Sequence, residues 1–348
     1  MNNSQNTPPY KLEIVLRVRA QKVLEKFGQV AVSGVTNDKL LSMLEVVKKY
    51  WVDSLRPALL SFCCEAVGAK SEVVIDAGVM IALADAGISI HDDIVDNTKK
   101  KRCRKTILGA YGLNNALLVG DLLIVKAWSL IHEMIRKTNK PITVAAFAEA
   151  YGNSSLDMCE AEIDEISCRK NLETDLEFFK EVLWKLNSGI KACAKLGAII
   201  GGGTKKEINA LSEVGKSLAL ILGIMDDIRD TLSVDNYLVH RLENESIPLP
   251  LLYAAKTSED RYKTIESVIK KTSLSPSDAR ELLNLCFEAK AFTYAYEVVK
   301  REGKKATDHL NSLKPSYAQN IVKLIINSSI RNVEKLLSSG ICQSKKVN

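Results

Sequence analysis

Apolar residues recur at three- and four-residue spacing along most of this 348-residue chain. The pattern is clearest in residues 10–28, 114–135 and 176–200, and strand-like alternation is nearly absent. A period of this kind places apolar side chains on one face of an α-helix. The eight prolines stand mostly where such helices should begin or end. The sequence therefore predicts an all-α fold of about a dozen helices or more.

Composition narrows the class of protein. Hydrophobic residues make up 46% of the chain and charged residues 26%, which is ordinary for a globular protein with a buried core. The net charge is +6, and the charges are interspersed except at residues 99–105, so we expect no broad basic surface for nucleic acid. We expect one domain over residues 1–348, with frayed ends at about 1–8 and 339–348.

Cysteine usage and hydropathy indicate the compartment. The eight cysteines form no CxxC pair and have no histidine at zinc-binding spacing, so we expect reduced, packed thiols. The N-terminal stretch MNNSQNTPPY lacks the charged and apolar regions of a secretory signal. No uninterrupted apolar run reaches the roughly 18 residues of a membrane span. These features predict a cytoplasmic protein without a membrane span.

Three aspartates crowd into the stretch HDDIVDNTKKKRCRKT, residues 91–106. On a helix, Asp92, Asp93 and Asp96 project from one side of a single turn. Two such charges about 4 Å apart repel by roughly 1 kcal/mol in bulk water, and by about 4 kcal/mol at an effective dielectric of about 20. Mg²⁺ would relieve this repulsion, and it takes one or two carboxylates while leaving places for water and phosphate. The basic run at residues 99–105 could then hold the outer oxygens of a diphosphate.

The alternative is a solvated helix end, since most charge runs bind nothing. Three observations argue against it. The preceding residues 78–90 are almost wholly apolar, and acids at a helix C-terminus oppose the helix dipole. The cluster also recurs after a second apolar stretch, as Asp226, Asp227 and Asp230 with the same DDxxD spacing. The pair of motifs predicts two carboxylate walls that face each other across a cavity.

Further segments, in the same order along the chain, resemble the trans-isoprenyl diphosphate synthases. LRPALL, residues 55–60, resembles the end of the family's GGKxLRP motif, and NNALLVGDLLI, residues 114–124, resembles its helix carrying Gly-Asp. Lys185 stands where the family has a diphosphate-binding lysine, and residues 240–255 resemble archaeal-type members such as geranylgeranyl diphosphate synthases. The resemblance implies an isoprenoid synthase-type helical bundle around a central cavity.

The resemblance further implies a Mg²⁺-dependent prenyltransferase that condenses isopentenyl diphosphate with an allylic diphosphate. An allylic cation would form in an apolar cavity, where the chain positions the reactants and excludes water. The implied metal ligands are Asp92, Asp96 and Asp226. The carboxylates that assist them are Asp93, Asp227 and Asp230. The implied diphosphate-binding cations are Arg56, Lys101, Arg102 and Lys185.

The residues before the first motif bear on product length. In the family, bulky aromatic side chains at these positions stop chain growth. Here the corresponding residues are Gly87 and Ile88, with Ala84 a turn deeper. We therefore expect geranylgeranyl diphosphate or a somewhat longer product, unless Gly87 merely permits close helix packing. His91 is expected to pack or to make a structural hydrogen bond, because on a helix it points away from Asp92.

Several positions depart from the family pattern. Asp53 replaces the lysine, and Asp85 the histidine, of the isopentenyl diphosphate site. Either Arg56, Arg102 and neighbours such as Arg104 and Lys105 carry that site alone, with the aspartates turned outward or paired to those arginines, or the chain binds isopentenyl diphosphate poorly and relies on a partner. The remaining departures are Lys101, Cys103, Leu222, Gly223 and Ser246.

These departures keep a second hypothesis open, a weakly active or non-catalytic regulatory subunit of a heteromeric prenyl diphosphate synthase. A terpene cyclase ranks last, because cyclases usually carry a second motif of another type than the DDIRD found here. The first hypothesis is typical of a homodimer, and the second of a heteromer with a homologue.

Overall fold

The structure is a computed structural model that describes residues 9–101, 104–137, 141–234 and 237–344. Within these ranges it contains sixteen α-helices, one 3₁₀ turn at Ser71–Val74 and two paired strands. The all-α prediction is confirmed. The helices of the first half are α1 Pro9–Val32, α2 Asp38–Tyr50, α3 Leu55–Ala66, α4 Ile75–Val95, α5 Ile107–Tyr111, α6 Leu113–Lys137, α7 Pro141–Cys168 and α8 Leu176–Leu186. Those of the second half are α9 Ser188–Ile200, α10 Lys205–Leu232, α11 Tyr237–Asn244, α12 Leu249–Ala255, α13 Glu259–Ile269, α14 Pro276–Glu288, α15 Ala291–Leu310 and α16 Tyr317–Ser344.

The chain divides into two compact units. Unit 1 comprises Met1–Gly152, Ala192–Ser212 and Ser312–Val322. Unit 2 comprises Asn153–Lys191, Glu213–Asn311 and Lys323–Asn348. The single domain expected from the sequence stays a prediction, and each unit is described by itself below.

Helix α4 forms the centre of unit 1. Met80, Leu83 and Ala84 are fully buried along it, and α3 contributes the equally buried Phe62. Burying a side chain such as Leu or Met stabilises a fold by about 1.5–3 kcal/mol relative to leaving it exposed. The helix ends one residue before Asp96, so its apolar body anchors the first aspartate motif to the core.

Helix α10 plays the corresponding part in unit 2. Ile221, Ile224 and Ile228 are fully buried and lie at three- and four-residue spacing, which is one face of a helix. The helix continues to Leu232, so the second aspartate motif occupies its last two turns.

Two helical segments, Ser71–Val95 and Lys205–Leu232, are long and apolar enough to cross a membrane by length and composition. In each, 67% of the apolar window is buried inside the protein. Core helices meet the same criterion when they are mostly buried. The absence of a membrane span stays a prediction.

The basic run after the first motif begins with a small antiparallel sheet. Strand β1 is Lys100–Lys101 and strand β2 is Arg104–Lys105, with Lys101 opposite Arg104. Arg104 stacks over the ring of Tyr50 at 4.4 Å from its centroid. Arg102 and Cys103, between the strands, lie outside the described residues.

Candidate active site

The first aspartate motif sits where α4 ends in unit 1. Asp92 and Asp93 lie in its last turn, with side chains 37% and 8% exposed. Asp96 follows the helix, and its backbone N–H donates to the Asp92 carbonyl at 2.9 Å. The structure therefore brings these residues together at a helix end, as the spacing predicted.

Lys101 is the cation of this motif. Its Nζ lies 3.3 Å from Asp92 Oδ2 and 2.8 Å from Asp93 Oδ1. Burial acts to lower the pKa of Lys101, but the two carboxylates outweigh it and the pKa is raised. Burial raises the pKa of Asp93, with Lys101 acting in the opposite direction. The ammonium thus offsets the carboxylate repulsion within the chain itself.

The first motif offers single oxygen donors to a divalent ion, although among the residues that the structure describes no group of three or more His, Cys, Asp or Glu side chains is already arranged to hold a metal. Asp93 Oδ1 is a buried carboxylate oxygen without a well-aligned hydrogen bond, and Asp92 is accessible to water. Lys101 is 44% exposed, so it can leave the carboxylates when a stronger cation arrives. Oxygen donors of this kind suit Mg²⁺.

The second motif is built differently within unit 2. Asp226 is 50% exposed and pairs with Arg229 three residues further along α10. Asp227 is 1% exposed and accepts two hydrogen bonds, from the Leu249 backbone N–H at 2.7 Å and from Arg241 Nη2 at 2.9 Å. The three carboxylates of this motif are therefore not equivalent.

Arg241 on α11 is the centre of a buried network. Its Nη1 donates to Asp230 Oδ2 at 3.1 Å, its Nε donates to the Ser246 carbonyl at 3.1 Å, and the same Nε lies 3.2 Å from Glu245 Oε2. Burial raises the pKa of Asp227 to about 6, although Arg241 acts in the opposite direction. Burial would also lower the pKa of Arg241, but the surrounding carboxylates raise it.

Arg241 was missed by the sequence analysis. It lies within a segment read only for its likeness to archaeal relatives, and its contacts with α10 cross fourteen and eleven positions of the chain. No local periodicity signals such a pairing. An arginine among apolar and polar residues of a short helix gives no sign of which carboxylates it will meet.

Lys185, predicted to bind diphosphate, lies in the last turn of α8 in unit 2. Its side chain is 25% exposed, and its Nζ is 3.5 Å from Glu160 Oε2. The pairing is loose, because Glu160 is 56% exposed.

Arg56 is held by the two aspartates that depart from the family pattern, all three in unit 1. Its Nη1 donates to Asp53 Oδ2 at 3.0 Å, and its Nε lies 3.1 Å from Asp85 Oδ2. Asp53 also accepts the backbone N–H of Leu55 at the start of α3. Burial raises the pKa of Asp85 to about 6, with Arg56 acting in the opposite direction. Of the two arrangements considered for these aspartates, the structure shows the paired one.

Gly87 lies where α4 crosses α6. A Cβ at this position would stand 2.7 Å from the Gly120 carbonyl oxygen and 2.8 Å from Ile124 Cγ1, both closer than van der Waals contact allows. Ala84 is fully buried, whereas Ile88 is half-buried. The geometry favours the packing role for Gly87 over an open pocket floor.

His91 points towards α6. Its Nε2 lies 3.2 Å from the Leu117 carbonyl oxygen and 3.3 Å from Asp121 Oδ1. These contacts agree with the structural hydrogen bond expected for this histidine.

Comparison with known proteins settles the family. The model of the polyprenyl synthetase family matches residues 40–286. The chain belongs to the polyprenyl synthetase family. The predicted family is thereby confirmed.

Individual relatives agree with this assignment. Geranylgeranyl diphosphate synthase of Methanosarcina mazei is 30% identical over 196 residues, which cover 55% of this chain and 59% of that protein. Octaprenyl diphosphate synthase of Haemophilus influenzae is 24% identical over 289 residues, covering 80% of this chain and 84% of that protein. The chain spans less than two thirds of the length of the first two relatives it matches, 59% and 66%.

The fold agrees as well. The crystal structure of geranylgeranyl pyrophosphate synthetase from Pyrococcus horikoshii superposes with a TM-score of 0.80 at 23% identity, and the match covers 92% of this chain and 98% of that one. The isoprenoid synthase-type fold implied by the sequence is confirmed.

Proposed function

We propose that this polyprenyl synthetase family member is a Mg²⁺-dependent prenyltransferase that condenses isopentenyl diphosphate with an allylic diphosphate. One observation carries the proposal. Each aspartate motif contains a buried carboxylate and an accessible one, and the accessible ones are Asp92 at 37% and Asp226 at 50% exposure. The cation beside each accessible carboxylate, Lys101 or Arg229, is itself about half exposed. Both motifs can therefore exchange a side-chain cation for a metal ion.

The residues take the following parts. Asp92, Asp96 and Asp226 hold the metal ions, which when bound supply Lewis-acid assistance to the departing diphosphate. With a metal ion on Asp92, Lys101 would leave that carboxylate and could contact diphosphate oxygens instead. Lys185 is less exposed, at 25%, but it is only loosely paired with Glu160 and can therefore also turn to a diphosphate. The chain's apolar helices exclude water from the reacting carbons.

A second candidate function is favoured by the Arg56 cluster. Asp53 and Asp85 already pair with Arg56, a cation that a second diphosphate would need. Both aspartates are mostly buried, with side chains 21% and 15% exposed. A chain in this state binds isopentenyl diphosphate weakly. It would then act as a weakly active or regulatory subunit beside an active homologue.

A homodimer is part of the proposal. Helix α6 exposes apolar side chains at helical spacing, with Leu118 and Val125 each 63% exposed and Trp128 42% exposed. An apolar face of this kind suits burial against another copy of the chain. A cytoplasmic location is proposed as well, since six cysteines of the described residues are free thiols.

Product length is proposed to be geranylgeranyl or somewhat longer. We expect Ile88→Phe to shorten the product, because the half-buried Ile88 can accept a larger ring without the backbone clash at Gly87. Product chains are compared by chromatography. Gly87→Ala is the matched control and should lower thermal stability instead. An unchanged product from a folded Ile88→Phe variant would show that the limit lies elsewhere.

The proposed reaction is tested with the purified chain, Mg²⁺, labelled isopentenyl diphosphate and allylic diphosphates of several lengths. The expected result is labelled product whose formation EDTA abolishes. No condensation with any starter, followed by condensation when a homologue is added, would replace this proposal with the regulatory-subunit function.

A further inference from the structure

The two arginines of the second aspartate motif differ in their freedom to move. Arg229 and its partner Asp226 are about half exposed, at 51% and 50%. Arg241, which pairs with Asp227 and Asp230, is 11% exposed. An exposed guanidinium leaves its partner for water at little cost. Arg241 cannot do so, because its departure would leave Asp227 buried without a counter-charge.

The surroundings fix both members of the buried pair. Asp227 Oδ1 accepts from Arg241, and Oδ2 accepts from the Leu249 backbone N–H. With both oxygens bonded and 1% exposure, Asp227 presents no face to a hydrated ion. Arg241 is held in turn by Ser246 and Glu245 beyond its contacts with α10.

Asp230 is less exposed than Asp226 but more exposed than Asp227. Its side chain is 24% exposed, and only its Oδ2 lies within hydrogen-bond distance of Arg241 among the contacts of the described residues. The planar fork of an arginine can hold two carboxylates three residues apart on one helix, whereas a lysine ammonium is a point charge.

We infer that Arg241 is a positioning residue that gives the three aspartates of the second motif different roles. Its contacts keep Asp227 buried as part of the fold and restrain Asp230 through Oδ2. Asp226 is thereby left as the metal ligand. The inference rests on the proposed function, because it concerns the metal proposed there. A hard ion that takes one or two carboxylates and completes its shell with water and phosphate fits this division.

The test measures Mn²⁺ binding to the full chain by electron paramagnetic resonance, with Mn²⁺ alone as the probe. The background carries Asp92→Asn and Asp96→Asn, so that binding reports on the second motif. Asp226→Asn should weaken Mn²⁺ binding about tenfold or more, whereas Asp227→Asn should change it by less than about twofold. The melting temperature of each variant is measured alongside.

Arg241→Lys provides the decisive variant. It keeps the positive charge, so a change in Mn²⁺ affinity cannot come from net charge. A lysine that stays with the buried Asp227 releases Asp230, and the second accessible carboxylate should tighten Mn²⁺ binding about threefold or more. Arg229→Gln is the matched control at the exposed arginine, and it should leave the melting temperature unchanged.

Three results would overturn the inference. The first is Asp227→Asn weakening Mn²⁺ binding as much as Asp226→Asn. The second is Arg241→Lys lowering the melting temperature without altering Mn²⁺ affinity, which means a structural role alone. The third is no Mn²⁺ binding to the background protein. The expected binding pattern without any condensation activity would leave the inference standing and refute the proposed function instead.

Discussion

Asp92→Ala and Asp226→Ala should each lower turnover by about a thousandfold, because Lewis-acid assistance to a leaving group is worth several kcal/mol of barrier. The helical fold should survive both changes. Asp92 and Asp226 are the accessible carboxylates of their motifs, and their neighbours Lys101 and Arg229 can turn to water. Initial rates with labelled isopentenyl diphosphate, together with circular dichroism, measure the two effects separately.

Two other aspartates serve as controls. Asp308→Ala removes an exposed aspartate of α15 that lies outside both motifs, and its turnover should stay near wild type. Asp227→Ala, in contrast to Asp92→Ala and Asp226→Ala, should destabilise the fold, since it leaves the buried Arg241 without a main partner. Near-normal activity of Asp92→Ala or Asp226→Ala, or activity that EDTA leaves intact, would contradict the metal role of the motifs.

The helices were predictable because their physical cause is local. The apolar periodicity of residues such as Ile221, Ile224 and Ile228 sets one buried face, and that face is visible in the sequence alone. The grouping of Asp92, Asp93 and Asp96 was predictable for the same reason, since helical spacing fixes which side chains share a turn.

The partners of the charged residues were not predictable in this way. Lys101 could be assigned to a diphosphate from its place in a basic run, yet it meets Asp92 and Asp93 in the chain. Arg241 reaches Asp227 and Asp230 only because α11 packs beside α10. Such pairs depend on tertiary contacts, which spacing within a single helix cannot reveal.

Gly87 shows a different limit of prediction from sequence. The absence of a bulky side chain at this position can indicate either an open pocket or a close helix crossing, and the sequence pattern is the same for both. Only the approach of the Gly120 carbonyl from α6 favours the crossing. A small residue in a buried helix therefore predicts a close approach without saying what approaches.

The second large effect is expected on substrate binding at the cluster of Arg56, Asp53 and Asp85. Replacing both aspartates, as Asp53→Lys with Asp85→His, should lower the KM for isopentenyl diphosphate about a hundredfold. Each aspartate pairs with Arg56 at 3.0–3.1 Å and would also face the incoming diphosphate. Two like charges about 4 Å apart repel by about 4 kcal/mol at an effective dielectric of about 20, and about 2.7 kcal/mol already corresponds to a hundredfold in affinity. The KM for the allylic diphosphate, which binds elsewhere, should change little.

Single variants separate the contributions. Asp53→Asn should lower the KM for isopentenyl diphosphate only modestly, because Asp85 still holds the Arg56 Nε. Arg56→Ala should raise that KM far more than the allylic KM, and its melting temperature must be measured too, since it leaves Asp85 buried without its cation. If the double variant binds isopentenyl diphosphate no better than wild type, then Asp53 and Asp85 do not limit that site. In that case the basic residues after the first motif carry the second diphosphate, and Arg56 with its two aspartates serves only to hold α3 against α4.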